Sequence, residues 1–196
     1  GGIYNYGVTS TMIISASTFS GNKANEGGGI SARGTLVATY NTFAGNSVLS
    51  GAGPTGLHQY GGTGHLAGNI FSGQSGIANC AIKGFGTLND NGYNLSSDAT
   101  CASGGTGSLQ NVANLNLGPL TSGGSGQQVH MPLTGSTAIG AIPPGTVIPN
   151  HNQFLVCTGA ATDQLLKPRP LSAGQPCTAG AVEATPASET VSIHAS

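Results

Sequence analysis

Three short segments of this chain repeat one another: Ser17-Thr18-Phe19-Ser20-Gly21-Asn22, Asn41-Thr42-Phe43-Ala44-Gly45-Asn46 and Asn69-Ile70-Phe71-Ser72-Gly73-Gln74. Upstream of each lies a second series, Gly1-Gly2-Ile3, Gly28-Gly29-Ile30 and Thr55-Gly56-Leu57. The Phe positions fall 24 and then 28 residues apart, and the Ile/Ile/Leu positions 27 and 27 apart. A period of this size that tolerates insertions between fixed short segments marks a solenoid, in which each repeat packs on its neighbours. Between the two series run short β-branched stretches bounded by Gly and Asn, such as Thr11-Met12-Ile13-Ile14-Ser15 and Thr35-Leu36-Val37-Ala38-Thr39-Tyr40, which read as strands. No ten-residue stretch shows a helical period. The expected fold is all-β: a right-handed parallel β-helix with three short strands to each turn. Phe19, Phe43 and Phe71 should stack inside the coil beside a ladder of Ile3, Ile30 and Leu57. Gly-Asn pairs after Phe suit sharp turns, because both residues tolerate left-handed backbone angles.

Composition narrows the function. Charged residues make up 6% of the 196, against roughly 25% in an ordinary soluble domain. Five Lys and Arg cannot build the basic face that nucleic acid or an anionic membrane requires. No stretch of apolar residues is long enough to span a bilayer. Disorder fits poorly, since disordered chains are usually charge-rich. The chain starts at Gly1 with neither Met nor signal peptide, as expected of a processed or excised piece.

Residues 1–75 are expected to hold the regular repeats. Residues 76–183 lose the period and should form irregular final rungs and loops that cover the end of the coil, as solenoids require. Residues 184–196 read as a tail, either a linker or an added strand, since Val191 and Ile193 alternate with polar neighbours. Four Cys allow three disulfide pairings. Sequence-local pairing gives Cys80–Cys101 and Cys157–Cys177, each bond contributing about 3 kcal/mol by loop entropy. A zinc site is the rival, but no Cys-x-x-Cys is present. Disulfides place the protein outside the reducing cytosol.

Gly-Gly-Ile paired with Phe-x-x-Asn resembles the repeats of bacterial polymorphic outer-membrane proteins; the full copies are Gly2-Ile3 with Phe19 to Asn22 and Gly29-Ile30 with Phe43 to Asn46. Leu57 and Gln74 depart from that pattern. Asn69-Ile70-Phe71, Asn79-Cys80, Gly92 to Asp98, Leu117 to Leu120, Gly135 to Ile139, Thr162-Asp163-Gln164, Pro168-Arg169-Pro170 and Cys177 through Glu183 together resemble the choice-of-anchor Q group of secreted bacterial β-helix proteins. The resemblance implies a secreted or surface-displayed β-helix and no established catalytic site. Gly140 and Thr178-Ala179 stand where that group usually has acidic residues.

Glycoside hydrolysis needs two carboxylates roughly 5–10 Å apart. None of the six Asp and Glu recurs at rung spacing. Asp90 and Asp98 are the closest informative pair, and they flank a segment that reads more simply as a turn and strand. His58 and His65 lie seven residues apart in a loop, without an identifiable further metal ligand. Asp163 with Arg169 reads as a salt bridge or turn clasp. Tyr4, Tyr6, Tyr40 and Tyr60 could stack on sugars, although Tyr in β-proteins commonly packs half-buried.

The function expected from these readings is structural and non-catalytic, outside the cytosol, with no cofactor or metal. Bare strand edges at Gly2 and Ile3 would be templates for another chain, and a net charge of −1 gives little repulsion to prevent association. End-to-end stacking into a homo-oligomeric filament is the expectation, with Thr190, Val191 and Ile193 adding a strand to a neighbour; the rival explanation of the bare edges is that preceding rungs were trimmed away. A carbohydrate-binding adhesin that contacts cell-surface glycans is the alternative, and a polysaccharide lyase or glycoside hydrolase is a third reading.

Overall fold

The computed structural model describes residues 1–49, 53–73, 77–124 and 126–185. Among them the chain is all-β and winds into a parallel β-helix of four stacked turns. The first turn holds β1 (Ile3–Asn5), β2 (Thr11–Ser15), β3 (Thr18–Ser20) and the short β4 (Lys23–Ala24). The second holds β5 (Ile30–Ala32), β6 (Thr35–Thr39), β7 (Thr42–Ala44) and β8 (Ser47–Val48). The third comprises β9 (Leu57–Gln59), β10 (Thr63–Ala67) and β11 (Ile70–Ser72), and the fourth β12 (Cys80–Ile82), β13 (Thr87–Gly92) and β14 (Leu95–Ser96). Three sheets run along the coil in the orders β1-β5-β9-β12, β2-β6-β10-β13 and β3-β7-β11-β14. Every pairing within them is parallel.

The two sequence repeats are the two inner ladders. Ile3, Ile30, Leu57 and Cys80 are register partners in the first sheet. Phe19, Phe43 and Phe71 are partners in the third, with ring centroids 4.9 and 4.8 Å apart and planes within 9° of parallel. The glycines before the Ile/Leu ladder have a packing reason. A Cβ on Gly29 would stand 2.7 Å from the Gly56 carbonyl oxygen and 2.8 Å from the Phe43 ring, and Gly2 and Gly56 meet Phe19 and Phe71 in the same way. Glycine at this position lets the ring of its own turn lie against the backbone.

A buried polar ladder runs beside the Phe stack. Asn41 donates from its backbone N and its Nδ2 to Asn69 Oδ1, and Asn69 donates likewise to Asn94 Oδ1, at 2.9–3.0 Å. Each Nδ2 also reaches a main-chain oxygen of the preceding turn, at Ile14, Ala38 and Leu66. Every buried donor in the ladder is therefore paired, as a low-dielectric interior demands.

The coil continues past residue 75 into the fourth turn, where Leu95 and Ser96 take the places of Ile70 and Phe71. Beyond it, residues 97–112 cover the end of the coil. Leu109 bridges Leu95 in parallel, Cys101 and Ala102 are buried, and the Cys80–Cys101 disulfide fastens the cover. Among the described residues the remainder adds no further rung. It turns back along the flank as three antiparallel hairpins: β15 (Leu117–Ser122) with β16 (Gln128–Pro132), β17 (Val147–Asn150) with β18 (Gln153–Val156), and β19 (Ala161–Thr162) with β20 (Pro168–Arg169). These segments touch all four turns. Gln164 accepts from Thr18 and His130 bonds Ser20 in the first; Asn150 donates to Thr39, and the Ala181 N–H to Thr42, in the second. The Gly180 N–H reaches the Gly68 carbonyl in the third, and Asn91 donates to the Pro149 carbonyl from the fourth. The second disulfide, Cys157–Cys177, lies within this flanking layer.

Candidate functional site

The two ends of the coil differ. At the first turn β1, β2 and β3 are the outermost strands of their sheets. Ile3 is 36% exposed, whereas Ile30 and Leu57 beneath it are fully buried; Met12 and Ile14 are half-buried above fully buried Leu36 and Ala38. Gly2 and Ile3 donate their N–H groups down to the carbonyls of Gly28 and Gly29, and among the described residues no strand pairs with the upper edge of β1. The far end is closed by carboxylates that sequence analysis weighed as catalytic. Asp90 accepts from the N–H groups of Gly92, Gly104 and Gly105, from Asn94 Nδ2 and from Ser108 Oγ. Asp98 accepts from the N–H groups of Asn79 and Thr100 and from the hydroxyls of Ser96 and Thr100. Burial pushes the Asp98 carboxyl up, but these hydrogen bonds together hold it below the usual carboxylate range. Both groups organise turns under the last rung.

One step beyond the first sheet, the residues following its four strands form a column: Tyr6, Arg33, Tyr60 and Lys83. The Arg33, Tyr60 and Lys83 N–H groups each bond the turn before, at Asn5, Ala32 and Gln59. The Arg33 guanidinium lies 4.7 Å from the Tyr6 ring centroid and 5.1 Å from that of Tyr60, and Lys83 Nζ stands 6.0 Å from Tyr60. Tyr4 and Tyr6 are about two-thirds exposed, with centroids 5.9 Å apart. Lys83 Nζ donates to Glu26 Oε1 at 2.9 Å. That hydrogen bond, aided by His58, holds Glu26 below the usual carboxylate range. His58 is buried, its Nδ1 3.3 Å from Glu26 Oε2 but not aligned as a hydrogen bond, and burial lowers its pKa against the pull of Glu26. An open cleft of about 440 Å³ is lined by Ile3, Tyr4, Ala24, Asn25, Glu26 and Ser31, and it meets the column only through Tyr4, which neighbours Tyr6.

The other candidates separate. His65 stacks on His151 at 4.6 Å, away from the His58–Glu26 pair. Tyr40 is buried and donates its hydroxyl to the Val156 carbonyl, so it is not a free sugar platform. Asp163 is a turn clasp, accepting from the N–H groups of Leu165, Lys167 and Glu183. Arg169 pairs with Glu183 instead, because the chain reverses at 178–183 and brings that carboxylate back over β20. Thr190, Val191, Ile193 and His194 lie outside the described residues.

Tyr6 and Tyr60 are candidates by sequence, whereas Arg33 and the column are not. A signal was present: Tyr6, Arg33, Tyr60 and Lys83 each follow Ile3, Ile30, Leu57 and Cys80 by three residues, and a rung repeat carries that offset into a column. Among the described residues no three His, Cys, Asp or Glu side chains converge as metal ligands, and no helix is long and apolar enough to cross a membrane. Comparison with protein-family models, with curated proteins and with solved structures finds no match.

Proposed function

We propose that this chain is a non-catalytic, extracellular structural β-helix that associates end to end with a second copy through its open first turn. The observation that carries this reading is the contrast between the two ends of the described coil: three strand edges that no described strand covers, above half-exposed Ile3, Met12 and Ile14, at one, and a disulfide-fastened cover at the other. Unpaired N–H and C=O groups beside apolar side chains form a template for strand pairing. A net charge of −1 offers little repulsion against a second copy. Head-to-tail growth needs a free edge at both ends, whereas a symmetric contact between two first turns closes on itself. The cover at residues 97–112 therefore favours a closed pair over a filament. The extracellular setting is supported by two disulfides and no free thiol among the described residues, and by the resemblance to secreted β-helices. The non-catalytic reading is supported by Asp90 and Asp98, whose oxygens are occupied in holding turns.

Sedimentation velocity over a hundredfold concentration range tests this function. The chain should move from monomer to dimer, and Ile3→Lys with Met12→Lys should stay monomeric with an unchanged far-ultraviolet circular dichroism spectrum. A wild-type monomer at every concentration rejects the association. Fibres in negative-stain micrographs reject the closed pair.

A further inference from the structure

We infer that the Tyr6–Arg33–Tyr60 column, with exposed Tyr4 beside it, is a binding site for an anionic sugar residue, one bearing a carboxylate or a sulfate ester. The inference adds a ligand to the architectural reading and does not depend on the pairing of two copies.

Arg33 is the key. Its guanidinium carbon lies between two tyrosine rings, 4.7 and 5.1 Å from their centroids, so a ring packs on each side of it. Its in-plane N–H donors are what the rings leave uncovered, and the side chain makes no hydrogen bond or ion pair among the described residues. The one nearby carboxylate, Glu26, is already engaged by Lys83 and His58. A guanidinium held in one plane presents a rigid fork of donors that matches two oxygens of a carboxylate or sulfate. The stack fixes that fork before a ligand arrives, which reduces the entropy lost on binding.

The surroundings select the rest of the ligand. Tyr4 and Tyr6 are exposed rings 5.9 Å apart, and each offers an apolar face for the C–H side of a pyranose with a hydroxyl at its rim. The cleft that Tyr4 borders is lined by Ile3 and Ala24 as well as by Asn25, Glu26 and Ser31, so both apolar surface and hydrogen-bonding groups face it, as both faces of a pyranose require. An acidic saccharide fits this combination of one anion receptor, flat aromatic rings and hydrogen-bonding walls. Lys83, paired with Glu26 one turn beyond Tyr60, extends the positive edge of the column.

Isothermal titration of the purified chain with oligogalacturonate, a heparin oligosaccharide, neutral dextran oligomers and oligoglutamate tests the site. Oligogalacturonate binding identifies the carboxylate source and heparin binding the sulfate source; the neutral glycan should not bind. Arg33→Gln should weaken binding at least tenfold, and Arg33→Lys, which keeps the charge but loses the fork, should fall between. Tyr6→Ala should weaken it several-fold, with thermal unfolding of each variant confirming the fold. Met12→Lys alone, in β2 and outside the cleft lining, should bind as wild type, which separates this site from the pairing of copies. Absence of binding to both acidic glycans, equal binding of dextran, or unchanged affinity in Arg33→Gln would overturn the proposal. Preferential binding of oligoglutamate would overturn the sugar assignment.

Discussion

Arg169 donates from Nη1 to Glu183 Oε2 at 2.9 Å with both side chains withdrawn from solvent. The guanidinium also donates to the carbonyls of Thr178 and Gly180 and lies 4.1 Å over the buried Tyr40 ring. Glu183 accepts in turn from the Thr178 N–H. The pair thus ties β20 and the 178–183 reversal to the second turn of the coil. Removing one partner strands a charge in a low-dielectric site, so Arg169→Met should lower unfolding stability by about 3–5 kcal/mol. Arg169→Met combined with Glu183→Leu should recover much of that loss, as read by urea denaturation.

Phe43 has a ring on each side, whereas Phe19 has one and lies under the open end. Phe43→Ala should cost about 3–5 kcal/mol through lost transfer energy and the cavity left behind. Phe19→Ala should cost distinctly less, because water already reaches that end. Thermal unfolding of the two variants side by side gives the order.

Asn69 joins the middle of the asparagine ladder. Asn69→Ala leaves the backbone N–H of Asn41 without its acceptor and its Nδ2 with the Ile14 carbonyl alone, at roughly 1–3 kcal/mol for a buried group left unpaired. Asn22 donates at the open end to Asn46 and is only half-buried, so Asn22→Ala should have the smaller effect. Denaturant midpoints of both variants test the contrast.

His65 packs against His151 in the turn between β17 and β18. Burial, and then the charge of His151, lowers its pKa from the ordinary 6.5. A base whose folded pKa is depressed binds fewer protons folded than unfolded, so its contribution is complete above pH 6.5 and is lost as pH falls through the folded value. Thermal stability should therefore drop as pH falls below the ordinary histidine value of 6.5, and His65→Gln should flatten the drop. An unchanged pH profile in that variant would exclude the stack as its source.

The coil was legible because a solenoid converts chemical likeness at a fixed spacing into contact; Phe19, Phe43 and Phe71 could be placed on one stack from their spacing alone. The fourth turn was not, because Ser96 occupies the Phe position and Cys80 the Ile position. Arg33 went unnoticed for a related reason: Tyr6, Arg33, Tyr60 and Lys83 share an offset but not a chemistry, so no motif announces them. The flanking hairpins have no period at all. Their contacts, such as Tyr40 with Val156 and Arg169 with Glu183, join segments whose separation nothing in the local sequence encodes. The Asp163–Arg169 pairing was expected from proximity along the chain, and the reversal at 178–183 supplied a partner from farther away.

Hydrogen exchange of residues 1–20, compared at low and high protein concentration, tests the open first turn most directly. Amides of β1 to β3 should gain protection as concentration rises, while those of β9 to β11 stay constant and Ile3→Lys with Met12→Lys abolishes the gain. Protection in β1 to β3 that is independent of concentration would contradict the account.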